Sequence, residues 1–139
     1  MIDQMLHEAM ELLLAGDMAV LAALRAQYEA AKVTSVETNS AGGYVYYAVP
    51  DSAMNLPSSC SFCFGDVVAD VESLQIGVGF LLWVHNGALD ALEFYPLGEP
   101  FPEEIGGYRL RYIYAVRDLG SLPRVDFQGS SRRGDGSTA

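Results

Sequence analysis

Residues 78–95 read VGFLLWVHNGALDALEFY, two apolar runs of eight residues on either side of Asn86-Gly87. Asn-Gly supplies the two positive φ angles of a type I′ turn, so the stretch is read as a β-hairpin. With Asn86 and Gly87 as the loop, His85 pairs with Ala88. Uninterrupted pairing then sets Val84 against Leu89, Trp83 against Asp90, Leu82 against Ala91, Leu81 against Leu92 and Phe80 against Glu93. Alternation places Phe80, Leu82, Val84, Leu89, Ala91 and Glu93 on one face. Leu81, Trp83, His85, Asp90, Leu92 and Phe94 fall on the other. Both faces are largely apolar, which predicts a hairpin covered on both sides or one that offers Leu81, Trp83, Leu92 and Phe94 to a partner or a second copy.

Working outward, the period of two recurs on both sides. Residues 33–39 (VTSVETN) and 44–49 (YVYYAV) alternate around a turn at 40–43, and Pro50 ends the second run. Residues 51–61 are rich in Ser, Asn and Pro and read as a loop. In 66–72 (DVVADVE) Asp66, Asp70 and Glu72 alternate with Val67, Ala69 and Val71, and 108–114 begins YRLRYIY. The N-terminal segment has a different period. Ile2, Met5, Leu6, Ala9, Leu12 and Leu13 mark one helical face with Asp3 as its expected N-cap, and Gly16 ends it. Asp17 is the expected cap of a second helix bearing Val20, Leu21, Leu24 and Tyr28, with Arg25 and Glu29 paired on its wet side. The expected fold is α+β: an N-terminal helical hairpin packed on a mostly antiparallel sheet of about six strands. It occupies residues 1–128 as one domain, and 129–139 (GSSRRGDGSTA) is expected to be a disordered tail.

The chain has 139 residues, is 50% hydrophobic and 19% charged, and contains no apolar run of the roughly 20 residues that a membrane span needs. Its start carries acids and no Lys or Arg before Arg25, unlike a secretory signal or transit peptide, so the expected location is the cytoplasm. The formal net charge is −10. The charge is uneven: residues 33–108 hold ten acidic residues and no Lys or Arg, whereas most of the arginines follow residue 108. Nucleic-acid binding needs clustered cations to displace counterions, so a nucleic-acid ligand is not expected. A basic protein partner is expected if several of Asp66, Asp70, Glu72, Asp90, Glu99, Glu103 and Glu104 converge on one side of the fold; scattered, the acids serve solubility.

Catalytic signatures are few. Cys60 and Cys63 form one C-x-x-C with no second pair, and His7 and His85 are the only histidines, too few for a zinc site. No G-x-S-x-G, P-loop or HExxH is present. Gly77-Val78-Gly79 begins a strand with no helix after it, which excludes a dinucleotide fingerprint. No catalytic, cofactor-binding or metal-binding residues are assigned. Glu93 shares a face with Phe80, Leu82 and Ala91, so pairing with Arg109 or Arg111 is expected.

Residues 79–102, GFLLWVHNGALDALEFYPLGEPFP, resemble a pattern of glycine, apolar strand, Asn/Asp-Gly, leucine, Leu-Glu-aromatic and Pro-rich loop. It is found in short bacterial α+β proteins of uncharacterised role, some of them immunity proteins of toxin–immunity systems. The resemblance carries no catalytic residues. Phe94 follows Glu93 where such proteins often have glycine. Two functions therefore stand as expectations. The first is a non-enzymatic, immunity-like interaction protein using Asp66, Asp70, Glu72, Trp83, Asp90, Glu93 and Phe94, with a basic partner or as a homodimer. The second is a small-molecule-binding module or enzyme with a Tyr-lined cavity anchored by Glu93.

Overall fold

A computed structural model describes residues 2–125; the expected tail at 129–139 lies outside them. Two helices, α1 (Ile2–Leu13) and α2 (Ala19–Ala30), precede strands β1 (Lys32–Asn39), β2 (Gly42–Ala48), β3 (Phe62–Phe64), β4 (Val67–Val71), β5 (Val78–His85), β6 (Ala88–Pro96) and β7 (Tyr108–Tyr112). The strands form one antiparallel sheet in the order β1-β2-β6-β5-β4-β7, and β3 also pairs with β5. The fold is therefore α+β with an N-terminal helical pair. The short β3, just past the loop expected at 51–61, adds a seventh strand to the sheet.

The helices form for the reasons the spacing gave, but their caps differ. Met5, Leu6, Ala9, Met10 and Leu13 are buried on α1, and Asp3 lies inside its first turn. Met18, not Asp17, is the N-cap of α2 and makes no side-chain bond. Arg25 does not form an ion pair with Glu29; it donates through Nη1 to the carbonyls of Leu14 and Gly16, closing the end of α1. α1 packs over β4 and β7, and α2 over β6.

The Asn86-Gly87 turn has the expected positive φ, 51° and 78°. The register beyond it differs from uninterrupted pairing. His85 faces Ala88 and Val84 faces Leu89, but Trp83 then faces Ala91, Leu82 faces Leu92, Leu81 faces Glu93 and Phe80 faces Phe94. Asp90 is the extra residue of a β-bulge, and one extra residue exchanges the faces of everything after it. Leu92 and Phe94, both 0% exposed, join Phe80 and Leu82 in the core beneath the helices. Glu93 moves to the opposite face beside Leu81 and Trp83. The hairpin thus has one fully apolar face.

Candidate functional site

The sheet has one face under α1 and α2 and one that, among the described residues, carries no helix. Cross-strand register places Glu37 beside Tyr44 and Ser35 beside Tyr46, then Tyr44 beside Glu93 and Tyr46 beside Ala91, and Ala91 and Glu93 beside Trp83 and Leu81. These residues share the helix-free face. Trp83 remains 39% exposed there. Its indole N–H donates to Glu93 Oε1 at 3.0 Å, a diagonal cross-strand contact that fixes the ring plane. The Tyr44 and Tyr46 rings stack with centroids 5.7 Å apart, and Tyr46 Oη lies 3.5 Å from Glu37 Oε1. The Glu93 carboxylate beside Tyr44 pushes its phenol up from the ordinary value, and desolvation followed by the Glu37 charge does the same for Tyr46. Both phenols are neutral donors at pH 7. Tyr95 closes the edge of the patch: its ring lies over Gly79, where a Cβ would meet Cζ at 2.6 Å.

The expected residues divide among four environments. Trp83, Asp90 and Glu93 come together on the aromatic patch. Asp70 lies on the same side at the far edge, where Arg111 Nε donates to its Oδ2 at 2.9 Å. Asp66 and Glu72 flank β4 instead of lying in it, so the loops recruit them. Asp66 is 8% exposed and paired with Arg117, and Glu72 accepts the Gly107 N–H at 3.1 Å. Phe94 is core and touches no solvent. The pairing expected between Glu93 and Arg109 or Arg111 does not occur, because β5 and β4 separate β6 from β7. The missed members of this face are Tyr44 and Tyr46, which flank Glu93 and Ala91 from β2 and whose alternation in 44–47 was visible but whose neighbour strand was not.

A second open feature lies on the helix side. A groove of about 1060 Å³ runs between α1, α2 and the β1–β2 hairpin. Leu6, Leu14, Val45 and Tyr47 line it, and Val33 and Val36 overhang it at 56% and 51% exposure. On its rim His7 Nδ1 lies 2.7 Å from Tyr28 Oη, and His7 Nε2 lies 3.7 Å from Glu11 Oε2. Burial, with Glu11 adding, pushes the Tyr28 phenol up, and burial pushes Tyr47 up further. Neither phenol is poised to ionise as a nucleophile. Glu93, expected as the anchor of a Tyr-lined cavity, is not among the lining residues and faces the other way.

Cys60 is buried and Cys63 exposed on β3, and burial raises the Cys60 thiol, opposite to the activation of a reactive cysteine. Among the described residues no group of three or more His, Cys, Asp or Glu is placed to hold a metal ion, and no helix is long and apolar enough to cross a membrane. Comparison of the chain with protein-family models, curated proteins and solved structures finds no match.

Proposed function

We propose that this is a non-enzymatic interaction protein that receives a basic protein partner on the helix-free face of its sheet, in the cytoplasm and in an immunity-like role. The observation that carries the reading is the Trp83–Glu93 pair. A tryptophan left 39% exposed while its N–H is held by a carboxylate presents a rigid ring face with negative charge at its edge. Tyr44 and Tyr46 extend that surface, and Asp90 and Glu37 border it. Aromatic anchors with adjacent acids suit arginine and lysine side chains, through cation–π attraction and charge-assisted hydrogen bonds. The opposite edge carries Arg109 and Arg111, so the face is polarised and orients a partner whose charge is distributed in the reverse sense.

The test is capture of the cell's basic proteins on immobilised wild-type protein, beside Trp83→Ala and a Glu93→Gln, Asp90→Asn double variant, at about 0.05 and about 0.5 M salt. A defined partner retained by wild type, lost by both variants and weakened at high salt supports the reading. An identical catch by all three proteins removes it.

A further inference from the structure

We propose that the groove between α1, α2 and the β1–β2 hairpin is a second docking site, which seats an amphipathic helix with basic flanks from a partner protein. It lies across the sheet from the aromatic patch and does not depend on that patch's role. The two helices lie chiefly over β4, β7 and β6; at β2, Tyr28 of α2 packs edge-on against Tyr47 and Val45 is buried, while Val33 and Val36 of β1 stay exposed. Both valines face the groove because a bulge between Val33 and Ser35 resets the alternation of β1. The opposite wall is a stripe of α1, Asp3, His7 and Glu11 at four-residue spacing, running on to Leu14. From Asp3 to Leu14 the wall is about 16 Å long, three turns at ~1.5 Å per residue. The groove is therefore as long as a short helix and has a helix for one wall, the geometry in which a further helix packs beside α1.

Charge selects the occupant. Asp3, Glu11 and Glu29 stand on the rim, while the Nη1 of Arg25, the groove's cation, is engaged by the carbonyls of Leu14 and Gly16. An incoming helix therefore meets Val33 and Val36 along β1, the apolar lining of Leu6, Leu14 and Val45, and carboxylates along the α1–α2 side, which fits Leu or Ile at i, i+3, i+4 and i+7 with Lys or Arg on the flank that faces the helices. A strand is a poorer occupant. The bulge at Thr34 breaks the outer ladder of β1 and keeps the edge from extending. A single small molecule is a poorer occupant too, since the groove is open along its length and its volume of about 1060 Å³ sits at the upper limit of such sites.

The experiment uses the full chain and three fluorescein-labelled model peptides of about four helical turns. One carries leucines at helical spacing with lysines elsewhere, one the same leucines with glutamates, and one the first composition with scrambled leucines. Fluorescence anisotropy is read at about 0.05 and about 0.5 M salt. The expected result is saturable binding of the Leu/Lys peptide, at least about tenfold tighter than either control. Val36→Lys, which places a residue welcome on an edge strand at the groove wall, weakens binding by about tenfold or more with an unchanged melting curve. Glu11→Gln with Glu29→Gln weakens it about three- to tenfold and flattens its salt dependence. Trp83→Ala leaves it within about twofold, separating this site from the sheet face. No binding, equal binding of the Leu/Glu or scrambled peptide, indifference to Val36→Lys, or loss on Trp83→Ala overturns the proposal.

Discussion

Arg117 Nε donates to Asp66 Oδ2 at 2.6 Å, and the same guanidinium reaches the carbonyls of Ala15 and Leu13 at the end of α1. It also lies over the Tyr112 ring, 4.4 Å from the centroid. A single side chain five residues past the last strand thus joins the start of β4, the end of β7 and the C-terminus of the first helix. The side chains are only 15% and 11% exposed, so the pair is a buried one. Arg117→Leu strands the Asp66 charge and leaves helix carbonyls unmet, and it should cost about 3–5 kcal/mol in urea unfolding. Adding Asp66→Asn should recover part of that loss. Equal or larger loss in the double variant would show that Asp66 and Arg117 act separately.

Gln27 is the second polar keystone. It is 0% exposed, yet its amide is fully used: Nε2 donates to Asn55 Oδ1 and to the Gly87 carbonyl, and Oε1 accepts the Leu89 N–H, each at 2.8 Å. It ties α2 to the turn of the central hairpin. Gln27→Leu keeps the volume but leaves the Leu89 N–H and the Gly87 carbonyl buried without partners, a cost of about 2–4 kcal/mol. Denaturation at neutral pH measures it, and a change within about 0.5 kcal/mol would contradict the assignment.

The hairpin, the helix pair and the antiparallel sheet were legible because each has a local cause: Asn86-Gly87 dictates a turn, period two marks the strands, and Gly16 separates two amphipathic runs. Three features were not. The Asp90 bulge has no sequence mark, since an acid in a strand reads the same whether it is paired or extra, and its one-residue shift misassigned Leu92, Glu93 and Phe94 together. Gln27 lay three residues after Leu24 on the buried stripe, a spacing that could have revealed it. Arg117 reached Asp66 across 51 residues, a tertiary contact that no local pattern encodes.

Tyr47 sets a limit in alkali. Burial raises its phenol above the ordinary 10.0, so the folded state holds that proton more tightly than the unfolded chain does. The stability this contributes is complete below about pH 10 and is lost as pH rises toward the folded value. Tyr47→Phe, which cannot ionise, should therefore lose less stability than wild type between about pH 9 and 12, followed by thermal melts. Parallel losses in the two proteins would show that Tyr47 does not titrate in this way.

The proximity of Glu93 and Tyr44 can be read spectroscopically. The Glu93 charge is the largest cause of the raised Tyr44 phenol, so Glu93→Gln should let Tyr44 ionise at lower pH. Because Glu93 also holds the Trp83 N–H, the same variant should broaden the environment of the indole and make its fluorescence easier to quench. Difference absorbance of phenolate, with Tyr44→Phe to identify the band, checks the first effect. A Tyr44 titration unmoved by Glu93→Gln would separate the two side chains in solution.

Asp90 gives the sharpest test of the register. It lies outside the ladder, between the pairs Trp83–Ala91 and Val84–Leu89, and leaving it out of the count is what sets Leu92 and Phe94 toward the core. Its side chain is exposed, so Asp90→Asn should change stability by no more than about 0.5 kcal/mol. Deleting the residue removes the bulge and joins Leu89 to Ala91, so uninterrupted pairing from the Asn86-Gly87 turn reproduces the pairs Trp83–Ala91, Leu82–Leu92, Leu81–Glu93 and Phe80–Phe94 with their faces unchanged. The deletion variant should therefore keep a cooperative melt, within about 2 kcal/mol of Asp90→Asn, and a wild-type Trp83 environment. A deletion variant that loses its cooperative melt or exposes Trp83 fully would mean that Asp90 is not the extra residue of the hairpin.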